Sequence, residues 1–256
     1  GEGNTSIGFC SLQLNSTGCQ NVAVGRRALA CNTTGSYNTA SGTYALCMNS
    51  TGTHNTATGF QALLCNTTAS YNTAVGTCAL YANTTGCKNA AVGWKSGKAN
   101  TTGIRNVMVG SSSLSSNTTG GENAAVGYNT LLNNTTGGHN TAIGNQAMLC
   151  NTTGANNVAV GPYALYDNST ADRNTAVGYA AMIRNTTGQY NVALGLCTLC
   201  TNTTGSQNVA VGPYALKANT TGHSNTAVGF CALYSNTTGC TNTAVGMYAL
   251  KANTTA

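Results

Sequence analysis

Apolar residues return along this chain in a fixed cadence: Val24 and Leu29, Val75 and Leu80, Val211 and Leu216, each pair five residues apart and each followed by a polar stretch. The cadence steps by 17 residues without insertion or deletion, from Asn4, Asn21 and Asn38 through to Asn242. A period of this size marks an array of stacked units, and it has to be recognised before any local element is assigned. If positions are numbered as slots from that Asn, fifteen repeats share Asn at slot 1, Gly at slot 5 and Asn at slot 12. Slot 4 is Val, Ile or Leu except at Ser41 and Thr58, slot 9 is Leu or Met except at Gly97, and slot 8 is Ala, Ser or Thr. Slots 6, 7, 10, 11, 16 and 17 vary freely.

Gly at slot 5, usually Gly at slot 15 and Asn, Thr or Ser at slots 12 to 14 interrupt every stretch long enough for a helix. The intervals left are about five residues long, alternating and rich in Val and Thr, which favours strands. Short strands joined by tight corners and stacked in parallel predict an all-β chain, a parallel β-solenoid or β-roll of fifteen 17-residue coils without a globular domain. Slots 4 and 9 are its expected core, and the glycines of slots 5 and 15 its corners. With a rise of about 4.8 Å per coil the rod would be roughly 70 Å long, each coil stabilised by its neighbours. Residues 1–256 read as one uninterrupted array, expected to be a piece of a longer chain because it opens and stops within a repeat.

The pentads NTAVG, NVAVG and NTAIG followed by xxAL resemble the repeat cycle of trimeric autotransporter adhesin heads. The fuller NTAVGxxALxxNTTGxx is similar to repeats of phage tail-fibre-like proteins of bacteria. The resemblance spans the whole chain. It implies a left-handed β-roll, three chains side by side, and a role in attachment or in spacing a binding tip from a surface.

Composition narrows the picture. Glycine supplies 32 residues, while aromatic residues make up 6% and charged residues 5%, too little for a conventional globular core. No run of 18 apolar residues occurs, so no membrane span is expected in this segment. The net charge of +6 favours only weak, salt-sensitive attraction to polyanions, with no specific nucleic-acid site.

Every slot-12 Asn begins an N-glycosylation acceptor pattern: Asn15, Asn32, Asn49, Asn66, Asn83, Asn100, Asn117, Asn134, Asn151, Asn168, Asn185, Asn202, Asn219, Asn236 and Asn253. Two readings compete. One is a ridge of glycans on a secreted chain. The other is a corner whose Asn side chains stack into a hydrogen-bonded ladder, with sparse glycans laid over it. Slot 1 carries Asn just as faithfully, mostly followed by Thr, Val or Ala and then Ala, which is no acceptor pattern, and branched sugars would crowd at the spacing of coils, so the ladder is the favoured reading. Ranks of Thr also raise ice binding, which the interruptions at slot 2 by Val22, Val107 and Val158 disfavour.

Twelve Cys are present. Each slot-16 Cys shares its repeat with a slot-7 Cys nine residues earlier, giving the pairs Cys10 and Cys19, Cys78 and Cys87, Cys231 and Cys240. Nine residues is about half a coil, so an intrachain disulfide across a flattened turn and an interchain one at the same level of a multimer are both open. Cys31 with Cys47 and Cys197 with Cys200 are weaker pairings. Disulfides would put the protein outside the cytosol.

His54, His139 and His223 lie several coils apart, and the acids Glu2, Glu122, Asp167 and Asp172 offer one close pair beside Arg173. Neither group makes a catalytic constellation, so no enzyme activity and no cofactor is expected. Lys88, Lys95, Lys98 and Arg105 gather around Trp94 and Gly97, a candidate basic patch or a worn repeat in which Trp94 or a neighbour replaces the lost Leu. Tyr at slot 7 (Tyr44, Tyr163, Tyr214, Tyr248) and slot 10 (Tyr81, Tyr166, Tyr234) reads as lateral contact, carbohydrate platform or plain surface packing. The expected function is an extracellular or cell-surface fibre or stalk that associates with itself, head to tail or as a homotrimer. An adhesin or tail-fibre module binding cell-surface glycans is the alternative, with an ice-binding solenoid behind it.

Overall fold

The computed structural model describes residues 1–255. The chain is an all-β parallel solenoid whose coils each contribute one strand of three residues, always slots 2 to 4. It divides into two units, Gly1–Val126 and the stretch from Gly127 onward. The first holds eight strands, from β1 (Thr5–Ile7) to β8 (Ala124–Val126), and the second seven, from β9 (Thr141–Ile143) to β15 (Thr243–Val245). Within each unit consecutive strands pair in parallel with a register of one repeat, Val22 opposite Thr39 and Ala23 opposite Ala40 in the first, Val209 opposite Thr226 in the second. The strands are shorter than the five-residue intervals expected, because slots 6 to 11 form a continuous turn.

That turn has an uncommon backbone. Slots 7, 9 and 17 adopt positive φ in coil after coil, with Tyr44 at 60°, Leu46 at 48° and His54 at 57°. Each such residue costs on the order of 1–2 kcal/mol outside glycine. What offsets the cost is bonding to both neighbours: Leu46 N–H donates to Ala62 O of the following coil at 3.0 Å, and Tyr44 N–H to Arg26 O of the preceding one at 2.9 Å. Backbone groups in the turn are therefore paired along the stack even where no strand is formed.

The two glycine slots differ. Gly76 has φ +132°, and a Cβ there would stand 2.5 Å from Gly93 O of the next coil, so slot 5 requires glycine on both counts. At slot 15 no left-handed φ occurs among the described residues, and Ala69 and Ala171 occupy it fully buried, although a Cβ at Gly52 would stand 2.3 Å from Ala69 O, so only the conformational requirement is absent there. The left-handed residue of this corner is therefore not the slot-15 glycine but the one at slot 17.

The core is also relocated by one slot. Slot 3 points inward, with Ala23, Ala40, Ala74 and Ala227 at 0% exposure, while the slot-4 residues Val24, Val75 and Val228 stand outside. Adjacent strand residues must face opposite sides, and the interior is too narrow for Val opposite Leu. Gly97 and Met108 demonstrate this. Met108 is the one large slot-3 residue, and a Cβ at Gly97 would lie 2.5 Å from its Sδ and 3.2 Å from Cδ2 of Leu80. Slots 3 and 9 share one volume, filled in most coils by Ala plus Leu, with Met148 and Met182 in place of Leu beside Ala, and here by Met108 plus Gly97. Trp94, half exposed, takes no part in that filling.

Candidate functional site

Asn side chains close the remaining sides of the coil. Asn32 Nδ2 donates to Asn15 Oδ1 of the preceding coil (2.7 Å) and to Gly35 O of its own (2.9 Å). Asn21 Nδ2 donates to the same Gly35 O (2.9 Å), and its Oδ1 accepts from Asn38 N–H (3.0 Å). Slots 1 and 12 thus converge on one slot-15 carbonyl and rise as two parallel ladders through each unit. Asn72 Nδ2 is an exception, buried without a partner. Slot 13 adds a third rank, for example Thr33 Oγ1 donating to Ser50 O at 3.0 Å.

This geometry bears directly on the acceptor pattern. Asn32, Asn49, Asn66, Asn83, Asn100, Asn117, Asn134, Asn151, Asn168, Asn185, Asn202, Asn219 and Asn236 are wholly buried. A glycan attached to Nδ2 at any of them would displace the neighbouring coil, so the folded ladder leaves it no room. Asn15 and Asn253 are partly exposed. The slot-14 Thr that completes each pattern lies on the outside, as at Thr34, Thr51 and Thr238.

All twelve Cys are free thiols, including Cys10 and Cys19, Cys78 and Cys87, Cys231 and Cys240. Cys87 Sγ accepts from Ser70 N–H (3.4 Å) and donates to Thr85 O (3.4 Å); Cys240 Sγ accepts from His223 N–H (3.5 Å) and donates to Thr238 O (3.3 Å). Ser36 and Ser206 cap the N–H of Cys19 and Gln189 in the same way. Slot 16 therefore uses a thiol where other coils use a hydroxyl, which accounts for Cys there without a bridge. The thiols that do meet are the weaker pairings: burial, then the neighbouring Cys31, raises Cys47, and burial with Cys197 pushes Cys200 up to about 11.

The candidate basic patch is partly neutralised. Arg105 pairs with Glu122 at 2.7 Å, and Lys95 Nζ sits 4.0 Å above the Trp94 ring. Lys98 is joined to Lys95 through the backbone alone, its N–H donating to Lys95 O at 3.2 Å. Beside Arg173, Asp172 caps Ala155 N–H at 2.7 Å while Arg173 lies over Tyr190, so the acid and the base there serve different neighbours. Slot 17 forms a surface stack in the first unit, with His54 between Tyr37 (4.8 Å) and Tyr71 (5.0 Å).

A cavity of about 360 Å³ opens on the second unit at slots 6, 7 and 10 of three successive coils. Tyr214 and Tyr248 form its two ends at slot 7, and the small Cys231 between them makes the floor, 6% exposed. Phe230 packs edge-on to both tyrosines, at 6.2 and 5.4 Å. Tyr234 forms the opposite wall at slot 10, flanked by Lys217 and Lys251. Lys217 Nζ donates to Tyr234 Oη at 3.1 Å, a bond that raises the lysine above its ordinary range. The slot-7 and slot-10 tyrosines were visible in the sequence as columns; the lysines between them and the gap over Cys231 were not, because they emerge only when coils are stacked.

Stacked three-residue strands, Asn ladders and small inward residues define a tandem-repeat β-solenoid. No protein-family model, no curated protein and no solved structure matches the chain. Among the described residues, no group of three or more His, Cys, Asp or Glu is placed to hold a metal ion, and no helix is long and apolar enough to cross a membrane.

Proposed function

We propose that this chain is a structural segment of a fibre or stalk, built to stack coil on coil and to associate with its own kind outside the cytosol. The observation that carries the reading is the use made of the repeated slots: slots 1, 3, 5, 9 and 12 are all spent on holding one coil to the next. What remains outward on the sheet is uncharged, with Thr, Val or Ala at slot 2 and Val109, Ile143, Val177 and Leu194 at slot 4. Such a face supports lateral contact between rods, and the resemblance to adhesin heads implies three of them. Electron microscopy and sedimentation of the purified chain test this: filaments or trimeric rods support it, and isolated monomers at high concentration would rule it out.

The same outward face favours a second reading. Thr recurs outward at slot 2 with a register of one repeat, as on an ice-binding surface, although Val22, Val107 and Val158 interrupt the rank. Thermal hysteresis at micromolar protein would establish that reading; freezing behaviour identical to that of an inert protein would remove it.

A further inference from the structure

We propose that the groove over Cys231 binds an acidic saccharide, a pyranose ring carrying a carboxylate or sulfate. The inference is independent of whether the chain forms filaments. The slot-7 column varies from coil to coil, and the groove exists because the small Cys231 falls between Tyr214 and Tyr248. Its volume of about 360 Å³ falls at the lower end of small-ligand sites, which run from about 300 to 1,000 Å³.

The walls determine the chemistry. Phe230, Tyr214 and Tyr248 line the cavity with aromatic surface, against which the C–H face of a sugar packs while its hydroxyls stay wet. The two cations are held by aromatic rings: Lys217 Nζ lies 5.4 Å from the Tyr214 ring and 5.2 Å from the Tyr234 ring, and Lys251 Nζ 4.7 Å from Tyr248 and 6.0 Å from Tyr234. No carboxylate lines the cavity, so both ammonium charges are unanswered. A neutral sugar would leave them so; an anionic substituent reaching Tyr234 would meet one on each side. An aliphatic ligand would bury the ammonium groups without compensation, which is costly.

The full chain is titrated with an oligogalacturonate, with its neutral methyl ester, and with a sulfated oligosaccharide of equal length, at low and moderate salt. Binding is expected for one or both acidic probes and at least tenfold weaker for the ester. Lys217→Gln and Lys251→Gln should each weaken it about three- to tenfold, as expected for loss of a partly exposed charge contact. Cys231→Phe, which fills the floor, should abolish it. If Cys231→Phe fails to fold, Tyr248→Ala serves, since Tyr248 is exposed. Lys88→Gln with Lys95→Gln should leave binding unchanged. Equal affinity for the ester, an equal loss on changing Lys88 and Lys95, or no binding by either acid would each overturn the proposal; the second outcome would mark unspecific polyanion attraction.

Discussion

At the scale of single residues, the chain contains its own controls. Gly97 and Met108 form a compensating pair, and they predict a strongly non-additive cycle. Met108→Ala should cost about 2–5 kcal/mol through the cavity it opens. Gly97→Leu should also destabilise, because its side chain would enter the volume that Met108 Sδ fills, 2.5 Å from the Cβ position. The double variant should recover part of both losses, with a coupling of about 1–3 kcal/mol in denaturant titrations. Additive losses would show that the two side chains do not share a space. Glycine slots offer a second contrast. Gly76→Ala should lose several kcal/mol to strain and to collision with Gly93 O, about 2–4 in all. Gly52→Ala should cost less, about 1–3 kcal/mol, since it carries no left-handed strain and Ala69 and Ala171 fill the same slot, but its Cβ would stand 2.3 Å from Ala69 O and must push the neighbouring coil aside.

Cys200 gives a residue-level dependence on pH. Its thiol is raised from 9.0 to about 11, so the folded state favours the protonated form. That contribution to stability is complete below pH 9 and is lost as the pH climbs from about 9 to about 11. Lysines and tyrosines titrate in the same window, so the measurement is a comparison. Cys200→Ala should flatten the alkaline fall in melting temperature relative to the unchanged protein, and an unaltered slope would count against the burial of that thiol.

The element that matters is the coil, and its cohesion rests on amides. Asn49 Nδ2 donates to Asn32 Oδ1 at 2.8 Å and to Gly52 O at 3.0 Å, and its Oδ1 accepts from Asn66 at 2.8 Å. Asn49→Asp removes both donors and places a carboxylate against two acceptors, so a loss of about 2–4 kcal/mol is expected. Thr51→Ala, which destroys the same acceptor pattern at an exposed position, should stay within about 0.5 kcal/mol. If Thr51→Ala proved as damaging as Asn49→Asp, the pattern would have a function that the ladder does not supply. Most of this was legible beforehand. An Asn repeated at slot 1, mostly without an acceptor pattern, already argued for ladders, and the period alone implied the register of one repeat between paired strands. The convergence of both Asn columns on one slot-15 carbonyl was not legible, because it depends on the path of the turn between them.

For the molecule as a whole, the reading as a self-associating fibre makes the outward sheet face decisive. A charge at slot 4, as in Val109→Lys, should abolish lateral association in sedimentation while shifting thermal stability little, because Val109 is 38% exposed. Loss of folding instead would mean that the face is part of the core. The thiols make a separate test: alkylation in denaturant without reductant should modify all twelve Cys, and fewer would reveal bridges.

The sequence by itself determined the period, the parallel stacking of coils and the residues that must recur to hold them, because a 17-residue repeat without insertions allows only in-register contacts between like positions. It could not determine which of two adjacent apolar slots faces inward. Ala at slot 3 and Val at slot 4 both fit a buried strand, and the choice follows from the width of the coil, set by Leu at slot 9. Nor could it reveal that Met108 fills the space beside Gly97, that slot-16 thiols act as hydroxyls, or that Cys231 opens a groove between two tyrosines. Those depend on side chains a full repeat apart in sequence and in contact across the stack, so only the tertiary structure decided them.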